Sequence, residues 1–130
     1  MARARIDEAV GLRAAHEFAA IVGEREDAAN LARSTRATAV RYLLQALSDR
    51  APGASVEVRI PPFGAVQCIE GPGHTRGTPP NVVEMDAATW VALACGVKGW
   101  HELVEAGRIH ASGTRADEVA RFLPVIRITA

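Results

Sequence analysis

The sequence predicts an α+β fold, a mixed five-stranded sheet with helices packed on one face, and three observations carry that expectation. Val40, Leu43, Leu44 and Leu47 recur at i, i+3, i+4 and i+7, the apolar stripe of an amphipathic helix over 36–50. Val56, Val58 and Ile60 alternate with Glu57 and Arg59, the period of a half-buried strand. From Asn81 to Pro124 the chain then reads strand, helix, short helix, strand, helix, with a start or stop signal at each join.

In chain order, Asp7 stands where a first helix would be capped. Val10, Ala14, Phe18, Ile21 and Val22 fall on one face of that helix, and Gly23 closes it. The polar stretch 24–33 reads as a connector or a short helix, and Thr35 as the cap of the next helix. Pro52-Gly53 ends that helix. Pro61-Pro62-Phe63-Gly64 turns the first strand back into a second, Ala65 to Glu70. Val82 to Met85 forms a third, antiparallel like the first two.

Asp86 sits at an N-cap, with Met85 and Trp90 at the two positions of a hydrophobic staple. Gly96 and Gly107 supply the left-handed residues that end two successive helices. Arg108 to Ser112 is a short strand, free to lie parallel to a neighbour after its helical crossover. Thr114-x-x-Asp117 resembles a capping box, Val119, Phe122 and Leu123 make an apolar stripe, and Pro124 stops the helix. Val125 to Ala130 reads as the fifth strand. Val40, Leu44, Leu47, Val58, Ile60, Trp90, Leu93, Leu103, Ile109 and Phe122 are expected to be buried together.

Composition excludes several function classes. Fifteen basic and fifteen acidic residues cancel and form no basic stripe, so no nucleic-acid partner is expected. No apolar run approaches the ~20 residues of a membrane span, and MARARIDEAV lacks the apolar segment of a signal peptide. A soluble cytoplasmic protein is therefore expected. Cys68 and Cys95 lie in apolar runs as buried free thiols, and with His101 and His110 they show no metal-ligand spacing. A Cys68–His74 pair has no third group to orient it, so neither a catalytic nor a metal site, and no cofactor, is assigned.

The ten-residue loop Gly71–Pro80 is long for a strand connection. Its prolines stiffen it, its glycines admit close backbone approach, and His74 and Arg76 could together hold a carboxylate. The alternative is a rigid surface loop whose arginine pairs with Glu70 or Glu84.

The string DAATWVALACG followed by WHELVEAGRIHASGT resembles the second half of the sterol-carrier-protein fold. VEVRIPPFGAVQCIEGP followed by HTRGTPPNVVE is similar to the small stand-alone bacterial sterol-carrier-like proteins of actinobacteria. The resemblance covers about residues 36–130. It implies one sterol-carrier-like domain over 1–130, with 1–35 as an N-terminal helical extension. It also implies a non-enzymatic carrier for a lipid or other apolar small molecule in an internal cavity. Phe63, Met85, Trp90 and Phe122 would line that cavity and His74 and Arg76 would stand at its mouth. The second reading is a filled-core accessory domain that docks onto a protein partner. The fold also forms the C-terminal part of mycothiol-dependent maleylpyruvate isomerases, whose metal-binding helical domain has no counterpart in residues 1–35.

Overall fold

A computed structural model describes residues 4–22, 30–72 and 80–128. Helix α1 (Glu8–Val22) is followed by α2 (Arg33–Arg50) and the hairpin β1 (Val56–Ile60) and β2 (Gly64–Cys68). Strand β3 (Asn81–Glu84), helices α3 (Ala87–Ala94) and α4 (Trp100–Glu105), strand β4 (His110–Ser112) and a 3₁₀ helix (Ala116–Phe122) complete the order.

Among the described residues the sheet is mixed but has four strands, in the order β2-β1-β3-β4. The expected fifth strand does not form. The backbone N–H groups of Val125 and Ile126 donate to the Ala94 carbonyl at 2.9 and 3.2 Å, and that of Ile128 donates to Cys95 at 3.0 Å. The tail thus satisfies carbonyls that the end of α3 leaves open, and these donors are taken by the helix rather than by a ladder. Residues 129–130 lie outside the described residues.

Pairing also departs from the expected meander. β1 pairs antiparallel with β2 but parallel with β3, Val56 facing Asn81, while β4 runs antiparallel to β3. The connection after β2 returns past the start of β1, which makes β3 begin where β1 begins. Ile69 N–H donates to Ala51 at 2.7 Å, and the Ile69 carbonyl accepts from Ser55 Oγ at 2.6 Å. Gly53, at a φ of 148°, leaves no room for a Cβ against the Ile69 backbone, so only glycine fits that crossing. Asn81 fixes the return: its side chain donates to the Ser55 carbonyl at 2.9 Å and accepts from Arg115 N–H at 2.9 Å.

One sheet face is dry and the other polar. Val56, Val58, Ile60 and Val83 are fully buried, while Glu57, Arg59 and Glu84 are half-buried on the opposite side. α2 packs on β2, and α1 packs on α2 and α3. Of the ten residues expected in the core, nine are buried and Phe122 is half-buried.

The start of α1 is capped as read, Val10 N–H donating to Asp7 Oδ2 at 3.2 Å, but its buried face is different. Gly11, Ala14, Ala15, Phe18 and Ala19 are inside and Val10 is 54% exposed. The reason is close helix contact: a Cβ on Gly11 would overlap the Tyr42 ring, so small residues occupy the contact line. Gly23 and most of the 24–33 connector lie outside the described residues. α2 begins two residues before Thr35, with Ala32 at the N-cap and no side-chain cap. Asp86 caps α3 through Thr89 N–H at 2.8 Å, and Gly96 and Gly107 take φ of 76° and 72° after α3 and α4. The last helical stretch is 3₁₀, starting after Arg115 rather than Thr114.

Candidate functional site

A feature with the shape of a binding site lies between α2 and the edge strand β2. A groove of about 690 Å³ opens there, lined by Thr38, Arg41, Leu44, Gly64, Val66 and Ile6 among others. Its existence follows from side-chain size. Gly64 is placed by register on the same side of the sheet as Ile60 and Val66, yet contributes no side chain. A Cβ there would stand 3.6 Å from Leu44 Cδ1 and 3.7 Å from Arg41 Cγ, ordinary van der Waals distances. Glycine at a strand end so placed leaves space that a larger residue would fill.

The α2 wall is a polar row beside the apolar stripe. Thr38, Arg41 and Gln45 follow at i, i+3 and i+7, which puts them on one face. Two of the three hold neighbouring segments in place. Gln45 fastens the N-terminal segment across the groove: its Oε1 accepts from Ile6 N–H at 2.9 Å and its Nε2 donates to the Ile6 carbonyl at 3.2 Å. Arg5 adds an exposed two-point pair with Asp49, at 3.1 and 2.6 Å, which holds the Asp49 carboxyl below its usual range. Arg41 Nε donates to the Phe63 carbonyl at 2.7 Å, which ties α2 to the β1–β2 turn.

Of the residues expected to surround a ligand, the four described ones, Phe63, Met85, Trp90 and Phe122, are not among those lining this groove. Trp90 is fully buried, and its indole N–H points to the Val40 carbonyl at 3.3 Å. Phe63 is 4% exposed and covered by guanidinium groups, Arg33 at 5.3 Å and Arg36 at 5.9 Å from the ring centroid. Met85 lines a separate pocket of about 290 Å³ with Pro61, Asp86, Arg108 and His110. Phe122 lies on the 3₁₀ helix, packed against the core. His74 and Arg76 lie outside the described residues, as does most of their loop. Beside the described end of that loop, Arg115 pairs with Glu118 at 2.7 Å and donates to the Glu70 carbonyl at 2.9 Å.

Sequence reasoning missed Thr38, Arg41, Gln45 and Gly64. The polar row next to the stripe was a visible signal for the first three. Gly64 read as turn chemistry, and its open surroundings depend on which helix comes to lie over β2.

The cysteines sit in apolar surroundings. Burial pushes the Cys68 thiol up to about 11 and the Cys95 thiol up to about 12, the opposite of nucleophile activation. Among the described residues no group of three His, Cys, Asp or Glu side chains is placed to hold a metal, and no helix is long and apolar enough to cross a membrane.

With the mixed sheet, the covering helices and the groove in view, comparison with known proteins becomes specific. The family model described as bacterial SCP ortholog, SCP being the sterol carrier protein, matches residues 32–125. The chain belongs to this bacterial sterol-carrier-protein family. The match covers α2 through the 3₁₀ helix, so α1 and the Ile6 wall of the groove lie before the matched span. A search among curated proteins finds no match.

Proposed function

We propose that this member of the bacterial sterol-carrier-protein family is a non-enzymatic binder of a lipid or similar apolar small molecule, taken up in the groove between α2 and β2. The observation that carries the reading is the size and lining of that groove. About 690 Å³ lies within the range of small-molecule sites, and Ile6, Leu44 and Val66 provide apolar surface facing the polar row Thr38, Arg41 and Gln45. Family membership supports a carrier-type role. Among the described residues the large side chains between helices and sheet are almost fully buried, which supports a ligand lying along a groove open to solvent rather than inside an enclosed tunnel. Inert, buried thiols support a role without covalent chemistry.

Affinity has a physical ceiling. Burying about 300 Å² of hydrocarbon at ~25 cal/mol/Å² yields about 7 kcal/mol before ordering costs, which corresponds to micromolar binding at best. Titration with an environment-sensitive fluorescent fatty acid tests the reading. Saturable binding is expected in the wild type, with at least a roughly tenfold loss in Gly64→Leu, whose side chain grows into the groove. Absence of saturable binding, or equal binding by the variant, would overturn it. The accessory-domain reading would then stand, and capture of a defined enzyme partner would be its test.

A further inference from the structure

The two edge strands of the sheet differ in how they are protected. β4 is three residues long, and so short an edge offers little to pair with. β2, Gly64–Cys68, carries no charged residue and no proline, two devices that commonly blunt an edge. The ladder places its free groups. Met85 N–H donates to the Arg59 carbonyl at 3.2 Å, so Arg59 turns that carbonyl toward β3 and away from β2. Facing residues of an antiparallel pair either exchange bonds or both turn away. Ala65 faces Arg59 and therefore presents its N–H and C=O to the free edge, and the alternation gives Gln67 the same outward pair. Among the described residues nothing pairs with these four groups. The N-terminal segment does not cover them, because both backbone groups of Ile6 are held by Gln45 of α2.

The space beside this edge suits an extended peptide. On an added strand, the residues opposite Gly64 and Val66 would turn their side chains to the helix side, where Thr38, Arg41 and Gln45 form the wall. Over Gly64 no side chain intervenes: Arg41 Cγ stands 3.7 Å and Leu44 Cδ1 3.6 Å from where a Cβ would be. Arg41 commits Nε to the Phe63 carbonyl and, among the described residues, pairs with no carboxylate. We infer that β2 accepts an extended segment of a protein partner as an added antiparallel strand. An acidic side chain of that segment lies over Gly64 and meets Arg41, and an apolar one lies over Val66. Main-chain bonds to Ala65 and Gln67 supply the affinity, and the Arg41 contact supplies the choice of sequence. A second copy of the chain is the poorer occupant. Antiparallel pairing of two β2 strands about a two-fold axis would put both Arg41 side chains on one face beside the junction, and β2 offers neither of them an acid. The inference goes beyond the carrier reading and does not depend on it.

The test is an amide NMR titration with the synthetic peptide TVTVTET, acetylated and amidated. Set antiparallel, its glutamate lies over Gly64 and its second valine over Val66. Saturable shifts and slowed hydrogen exchange are expected at the amides of Ala65 and Gln67. Glutamine in place of the glutamate should weaken binding roughly threefold or more, and Arg41→Gln should remove the difference between the two peptides. N-methylation of the two threonines facing Ala65 and Gln67 should weaken binding roughly tenfold or more, whereas N-methylation of the valine between them should change it little. Ala65→Pro removes an outward N–H without touching the β1 ladder, and should abolish binding while the thermal melt stays cooperative. Unshifted Ala65 and Gln67 amides at millimolar peptide would overturn the inference, as would equal weakening by the threonine and valine methyl groups. Equal binding of the two peptides would overturn the acidic position. The same amides shifting with protein concentration alone, with a dimer in sedimentation, would assign the edge to a second copy and overturn the peptide. Fatty-acid binding without peptide binding would overturn this inference alone, and the reverse result would overturn the carrier reading alone.

Discussion

Around Trp90 the space between helices and sheet is filled, whereas beside β2 it stays open. The first region is closed by Trp90, Leu43, Leu47, Val58 and Val83, all at most 2% exposed. The second is lined by Gly64, Ala65 and Val66 from the strand and by the polar row Thr38, Arg41 and Gln45 from the helix. The same helix, α2, faces both. Side-chain volume on the opposing element decides which gap closes, because close packing tolerates few voids wherever large apolar groups are available. Here the aromatic interior carries stability, and the small-residue edge carries the cavity.

The largest expected effect comes from breaking the filled side. Trp90→Ala should cost about 3–5 kcal/mol in urea denaturation, from lost transfer energy and the cavity left behind. A cost under about 1 kcal/mol would mean that the interior is looser than described. Two glycines then sharpen the contrast. Gly11→Ala forces a Cβ into the Tyr42 ring, and overpacking of about 1–3 kcal/mol should outweigh the up to ~1 kcal/mol gained in helix propensity. Gly64→Ala meets only ordinary contacts and should change stability by less than about 0.5 kcal/mol. Parallel thermal melts of the two variants check both statements, and equal destabilisation would contradict the account.

Much of this arrangement was legible in the sequence, in particular places. Asp86, Gly96 and Gly107 mark helix ends whose local chemistry has one solution, and each appears where read. The stripe of α2 and the alternation of β1 stand because a helix and a strand must bury the residues that share a face. The tail was misread because Val125, Ile126 and Ile128 carry strand-like side chains. What decides their state is the open carbonyls of Ala94 and Cys95, which are distant in sequence. The buried face of α1 was misplaced at Val10 because hydrophobicity alone does not show that Tyr42 demands a glycine opposite it. The groove was illegible for a related reason: an empty volume depends on the pairing of Gly64 with a particular turn of α2, a long-range fact.

A smaller effect concerns the thiols of the filled region. Their folded values, about 11 for Cys68 and about 12 for Cys95, are raised by burial above the unfolded value of about 8.5. A raised value gives stability that is complete below the unfolded value and is lost as pH rises toward the folded one. The melting temperature should accordingly decline progressively above about pH 8.5, and Cys68→Ala with Cys95→Ala should flatten that decline. Native protein should resist a thiol-labelling reagent at pH 8 until it unfolds. Rapid labelling of either cysteine would place it on the open side of the comparison.

The claim that the groove, and not the interior, holds the ligand is tested most directly by methyl NMR during titration with a long-chain fatty acid. The account predicts saturable shifts concentrated on the methyl groups of Ile6, Leu44 and Val66, with Leu93, Val83 and Val58 little changed. Shifts centred on the interior residues, with Ile6 and Val66 unmoved, would contradict it.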